Sequence, residues 1–225
     1  MTTARILRVL VVEDEPLFRD LVVSSLERQG LAVIGSTGST LEALRLLEAH
    51  RPDVALLDIH LGEQAPGTPQ NGVQLALEMR NRQAEIGTVF LSNHRELEFL
   101  RGLEAGSMGG WSYLLKKSVR SINALIRAVE GAADGMVVLD PELLSGAARR
   151  GKLAQLTERQ YEVLVLIAQG LSNAAIADQL SLSVRTIDNQ TSTIYELLGV
   201  DLSDTCVQPR VQAVLIFLSE TRRIA

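Results

Sequence analysis

Short apolar runs, each ending abruptly in polar residues and each followed by a helically spaced segment, constrain the fold of this chain more than any other feature. Residues 6–12 (ILRVLVV) stop at Glu13-Asp14-Glu15-Pro16, as a buried strand does when it meets an acidic loop. Leu17, Phe18, Leu21, Val22 and Leu26 then recur at helical spacing, and Gly30 closes the segment. The alternation continues with strands over 31–35, 54–57, 88–91 and 111–115, and with helices over 41–49, 72–79, 96–105 and 121–132. Five strands alternating with five helices predict right-handed crossovers and a doubly wound parallel sheet. The strands lack polar alternation because helices cover both faces.

Beyond Gly131 the pattern loosens into Gly, Asp, Pro and a basic group, Arg149, Arg150 and Lys152. Residues 134–153 read as a linker, with a short helix over 141–148. The remainder of the chain carries no strand-like run. Apolar spacing predicts four helices there: one around Tyr161, Leu164, Val165 and Ala168, then 174–180, 184–198 and 211–218. The expected organisation is an α/β domain over 1–133, a linker over 134–153 and an all-α domain over 154–225. A length of 225 residues suits two compact units. No apolar run reaches a membrane span, and the first ten residues lack a signal-peptide core, so a cytoplasmic protein without membrane contact is expected. Cys206 is the one cysteine, which excludes an internal disulfide.

In an open parallel sheet, function lies outside the carboxyl ends of the strands, so the residues that end each strand matter most. The first strand ends in Glu13 and Asp14, the third in Asp58, the fourth in Ser92, and the fifth in Lys116 after Tyr113. Converging carboxylates repel one another unless a cation neutralises them, and a hard ion such as Mg²⁺ takes oxygen ligands. That arrangement supports phosphoryl transfer to a carboxylate. Asp58 is the candidate nucleophile, with Mg²⁺ and an ammonium offsetting charge and a hydroxyl bonding a phosphoryl oxygen.

The segments VVEDEP, LLDIHL, FLSN and YLLKK, in that order over roughly the first 130 residues, resemble the receiver domains of two-component response regulators. The resemblance implies a flavodoxin-like sheet of order 2-1-3-4-5 and assigns roles. Glu13, Asp14, Asp58 and the His60 backbone carbonyl would serve Mg²⁺, with Asp58 the phosphoacceptor, Ser92 the switch hydroxyl, Tyr113 the switch aromatic and Lys116 the lysine. Two features depart from the family pattern. The loop GEQAPGTPQNG after Asp58 is about six residues longer than usual. His60 and His94 stand two residues beyond Asp58 and Ser92, where related receivers tune how quickly the phosphoryl group is lost. The dehalogenase-type phosphotransferases, which also use an aspartate nucleophile, expect a second aspartate at the place of His60.

The stretch from Leu156 to Val200, LTERQYEVLVLIAQGLSNAAIADQLSLSVRTIDNQTSTIYELLGV, resembles the LuxR-type helix-turn-helix domain of NarL/FixJ response regulators. By that resemblance Ser183 caps a recognition helix whose DNA-facing positions are Arg185, Thr186, Asn189, Gln190 and Thr193. Asn and Gln can pair with adenine, and Arg with guanine or phosphate. The charge is unusual. After Arg149 the chain holds seven Lys and Arg against eight Asp and Glu, and the recognition helix has Arg185 against Asp188 and Glu196. Phosphate contacts supply most non-specific affinity, so weak binding by a monomer is expected. Arg159, Arg210, Arg149, Arg150 and Lys152 are the candidates for supplementary attraction, and residues 201–208 look like an insertion. The implied function is a non-enzymatic regulator. A sensor histidine kinase phosphorylates Asp58, and a homodimer then forms and binds promoter DNA. The alternative is a phosphorylation-dependent protein-interaction switch that binds DNA weakly or not at all.

Overall fold

In a computed structural model, the described residues are 6–95, 109–144, 149–204 and 207–221. Their contacts divide into two compact units, the first ending at Gly135 and the second running on from Met136. Among the described residues, no helix is long and apolar enough to cross a membrane. The expected helix over 96–105, and Cys206, lie outside the described residues.

The first unit alternates β1 (Arg8–Val12), α1 (Pro16–Arg28), β2 (Ala32–Thr37), α2 (Thr40–His50), β3 (Val54–Asp58), α3 (Gly72–Arg82), β4 (Gly87–Ser92), β5 (Trp111–Leu115) and α4 (Ile122–Ala133). β1 pairs in parallel with β2 and β3, β3 with β4, and β4 with β5. β3, β4 and β5 are buried along their whole length, as are residues 9–12 of β1, which is why these runs carry no polar alternation. Local chemistry sets the helix ends. Pro16 stands at the start of α1, where its missing N–H goes unneeded. Ser39 caps α2 and Asn71 caps α3, each side chain accepting from a backbone N–H three residues on.

The strand order of the first unit is β2-β1-β3-β4-β5, as expected. A further short strand, β6 (Val137–Leu139), falls inside the stretch expected as linker, because the four apolar residues between Gly135 and Asp140 are too few to show a period. The expected linker helix over 141–148 is described only as α5 (Pro141–Leu144), since residues 145–148 lie outside the described set.

The second unit contains α6 (Glu158–Ala168), α7 (Asn173–Gln179), α8 (Val184–Leu198) and α9 (Pro209–Thr221), the four expected helices. Thr157 and Gln160 form a reciprocal capping box on α6, Ser172 caps α7, and Ser183 caps α8 through the Thr186 N–H. Each such cap contributes about 1 kcal/mol. Ile187, Thr191, Ile194 and Leu198 turn the buried face of α8 inward at intervals of three and four residues. Gly199 ends the helix at φ 66, a left-handed conformation that suits glycine. Lys152 Nζ donates to the carbonyl of Leu198 at 2.5 Å. The turn between α7 and α8 puts Ser181 at φ 53, and this short helix-turn-helix leaves one side of α8 open.

Candidate functional site

Parallel register aligns the strand ends. Val12 lies opposite Leu57, Asp58 opposite Leu91, and Ser92 opposite Leu115, so Glu13, Asp58, Ser92 and Lys116 emerge along one rim. Lys116 Nζ donates to Glu13 Oε1 at 2.8 Å and to Asp58 Oδ2 at 2.9 Å, and it sits 4.9 Å from the centre of the Phe18 ring. The remaining oxygen of Asp58, Oδ1, accepts from the His60 N–H at 3.0 Å. Asp14 is exposed, and its Oδ2 accepts from the Gly62 N–H at 2.9 Å. Carboxylate oxygens of Glu13, Asp14 and Asp58 lie within 4.8 Å of one another.

The charge in this pocket is incomplete. Glu13 and Asp58 share one ammonium with the Asp14 carboxylate close by, and Glu13 is 0% exposed with Oε2 buried and unpartnered. Burial, opposed by the Lys116 hydrogen bond and reinforced by the Asp58 charge, pushes Glu13 up to about 7. Burial also opposes the Lys116 ammonium, but hydrogen bonds to Asp58 and Glu13 outweigh it and hold the lysine above its ordinary value. Oxygen donors, excess negative charge and an orphaned buried oxygen together fit a hard divalent cation.

The pH dependence has a definite sign. Because Glu13 binds its proton more tightly in the folded state than at its ordinary 4.5, the metal-free fold loses stability as pH rises from about 4.5 to about 7. Thermal melts of wild type and Glu13→Gln without divalent metal, at pH 5 and pH 8, are expected to show a larger loss for wild type. Equal losses in the two proteins would contradict this assignment.

Ser92 and Tyr113 are buried, and both bind one backbone unit. Ser92 Oγ accepts from the His94 N–H at 3.1 Å, and the Tyr113 hydroxyl donates to the His94 carbonyl at 2.5 Å. The expected hydroxyl and aromatic are thus joined through residue 94. The exposed rings of His60 and His94 meet edge to face with centroids 6.2 Å apart, so the structure brings both histidines to the same rim.

Two positioning residues carry no clear sequence signal of their role. An ideal Cβ on Gly72 would lie 2.1 Å from the Asp58 carbonyl oxygen, so glycine lets α3 start against the strand that carries the acceptor. Gln64, in the long loop, accepts from the Thr40 N–H at 2.8 Å and donates to the Gly38 carbonyl at 3.2 Å. Thr68 is bonded to the Thr40 hydroxyl at 3.2 Å. The loop is therefore tied to the start of α2. Nothing in the sequence pointed to Gln64, whose partners Gly38 and Thr40 stand more than twenty residues back in the chain.

In the second unit, Arg185, Asn189 and Thr193 lie on the exposed side of α8, while Thr186 and Gln190 are half-buried on its flank. Val184, Asp188, Ser192 and Glu196 share the exposed side and are absent from the resemblance-based set. Most of the supplementary cations have structural work. Arg210 donates to the Leu171 carbonyl and, at 3.3 Å, to Asn173 Oδ1, and burial holds its guanidinium below the ordinary value. Arg149 binds Glu158 and the Leu156 carbonyl, and Arg159 binds Glu162 at 2.6 Å and the Leu180 carbonyl at 2.9 Å. Lys152 is held at the end of α8. Arg150 and Arg185 are exposed.

A parallel sheet whose strand ends bring Glu13 and Asp58 to one lysine with Asp14 close by, in a chain that also carries a helix-turn-helix, is the arrangement the sequence motifs predict for a response regulator. The chain matches the response regulator receiver domain family over residues 9–130 and the luxR family of bacterial regulatory proteins over residues 154–205, and it belongs to the response regulators. It is 36% identical over 203 residues to the probable transcriptional regulatory protein NarL of Mycobacterium tuberculosis, covering 86% of this chain and 88% of that protein. It is 31% identical to the response regulator protein VraR of Staphylococcus aureus, covering 93% and 95%. Its fold is shared with an RcsB chain, described as two RcsB dimers bound to two parallel DNAs. That likeness has a TM-score of 0.53 at 18% identity over 96% of this chain and 99% of that one.

Proposed function

We propose that a sensor histidine kinase, or a small phosphodonor, phosphorylates this response regulator on Asp58, and that the phosphorylated chain dimerises and binds promoter DNA in the cytoplasm. The proposal divides the chain into a receiver over 1–133, a linker over 134–153 and a DNA-binding domain over 154–225. The observation that carries it is the Lys116 ammonium shared by Glu13 and Asp58 beside a buried oxygen that has no partner. An oxygen of Asp58 attacks phosphorus as the bond from phosphorus to the donor nitrogen breaks, and the departing imidazole takes its proton from solvent. Glu13, Asp14, Asp58 and the His60 carbonyl are the groups that would hold Mg²⁺, which when bound supplies charge neutralisation for the incoming phosphoryl group. Lys116 then exchanges a carboxylate oxygen for a phosphoryl oxygen. Ser92 turns its hydroxyl toward the phosphoryl group and releases the His94 N–H. Tyr113 holds the carbonyl of the same residue, so the charge added at Asp58 is coupled to the aromatic side chain.

The transcriptional names of the relatives favour DNA as the output. The structural use of Arg149, Lys152, Arg159 and Arg210 favours a second reading, in which the helical domain grips another protein. Mobility shifts with genomic fragments at low salt separate the two. Selective shifts by the phosphorylated protein support the first reading, and their absence supports the second. Arg150 and Arg185 are the exposed arginines of the second unit among the described residues, and with these two from each protomer on phosphate the plot of log affinity against log salt for a dimer is expected to have a slope of about −4. Arg185→Ala should make it shallower by about two. A slope near −8 in wild type would show that more cations reach phosphate than this arrangement provides.

A further inference from the structure

We infer that Asp188 reads cytosine: its carboxylate, held on the exposed side of α8 by Asn173, accepts a hydrogen bond from the exocyclic amino group of that base in the major groove. The inference rests on the DNA-binding reading above and names a specificity determinant within it. A carboxylate on a surface that approaches phosphates is repelled by them, so its presence there weakens binding to every sequence alike unless a donor meets it. The donors on base edges in the major groove are the amino groups of cytosine and adenine. Adenine also displays an acceptor on the same edge, which disfavours a carboxylate, whereas cytosine offers N4 alone.

Asp188 lies one turn into α8, three residues after Arg185 and beside Asn189, in the N-terminal half of the helix that enters the groove in helix-turn-helix complexes. It is exposed, and its position is not left to chance. Asn173 Nδ2 donates to Asp188 Oδ1 at 2.8 Å, and Asn173 Oδ1 accepts from Arg210, whose guanidinium also binds the Leu171 carbonyl. This chain of bonds runs from the desolvated Arg210, on α9, through the first residue of α7 to the recognition helix. It fixes both the amide and the carboxylate before DNA arrives, which lowers the entropy lost on binding. With Oδ1 committed to Asn173, Oδ2 is the oxygen that meets the base. Asn173 and Arg210 are positioning residues, and Asp188 makes the contact.

Selection from a library of randomised duplexes by the full chain, phosphorylated with acetyl phosphate and Mg²⁺, tests this. Wild type is expected to enrich a motif with a cytosine at one fixed place in each half-site. Asp188→Asn keeps an acceptor for Asn173 but presents an N–H where Oδ2 stood, and is expected to shift that place from cytosine to a purine, whose N7 accepts, by on the order of tenfold. Asp188→Ala is expected to lose the preference there and keep the rest of the motif, and Asn173→Ala to blur the same place. A wild-type motif that both Asp188 variants reproduce at every position overturns the inference while leaving DNA binding intact. A wild-type protein that enriches no motif overturns the DNA-binding reading, and the inference with it.

Discussion

Asp58→Asn is expected to abolish the slow band that wild type gives on a phosphate-affinity gel after treatment with acetyl phosphate and Mg²⁺, together with the mass gain of one phosphoryl group. Asparagine retains the shape of the side chain and still offers an oxygen to the His60 N–H or to Lys116, which hold the two oxygens of Asp58 at 3.0 Å and 2.9 Å. What it lacks is an anionic oxygen able to attack phosphorus, so the fold survives and the reaction does not. The effect is loss of all detectable labelling rather than a slower rate. Undiminished labelling in the variant would move the acceptor to another side chain, with the exposed carboxylate of Asp14 first in line.

Lys116→Met should produce the largest loss of stability. Lys116 is 8% exposed and is paired with Glu13 and Asp58, which are 0% and 2% exposed. Removing the ammonium leaves buried carboxylates facing one another with nothing to offset them, and breaking a buried pair from one side costs about 3–5 kcal/mol. For the receiver this corresponds to a fall in Tm on the order of ten degrees at pH 8 without metal. Two dependences identify the cause. The deficit shrinks as pH falls toward about 7, because Glu13 without the lysine holds its proton more tightly than in wild type, and taking it up relieves the repulsion. It also shrinks when Mg²⁺ is added, since a divalent ion replaces the lost positive charge. A variant that melts with wild type at pH 8 without metal would show that the lysine does not balance this pocket.

Much of this site was legible before any coordinates, and particular residues show why. Asp58 and Ser92 end apolar strands, and in a parallel doubly wound sheet every strand end falls on the same side, so residue type plus strand order was enough to gather them. Ser183 was legible as a helix cap because capping is settled within three residues. β6 escaped because four apolar residues carry no period. Gln64 escaped because its partners, Gly38 and Thr40, lie 26 and 24 residues earlier in the chain. The basic residues of the second unit were the most misleading part of the sequence. Arg210, Arg159, Arg149 and Lys152 read as candidates for DNA attraction, yet their side chains bind carbonyls and carboxylates of their own domain. A count of charge is blind to that distinction, and the weakness of the expected DNA attraction is greater than the count suggested.

By itself the order of residues determined the alternation of strands and helices, the helix-turn-helix and the chemical types along the rim. Each of these depends on periodicity, caps and turns that act over a few positions. Tertiary structure alone decided which partner each charge takes. Lys116 reaches Glu13 across a separation of 103 residues, and Asn173 meets Asp188 across 15. A hydrogen bond forms only when donor and acceptor come within about 3 Å in the right direction, and that approach is set by the packing of distant elements against one another.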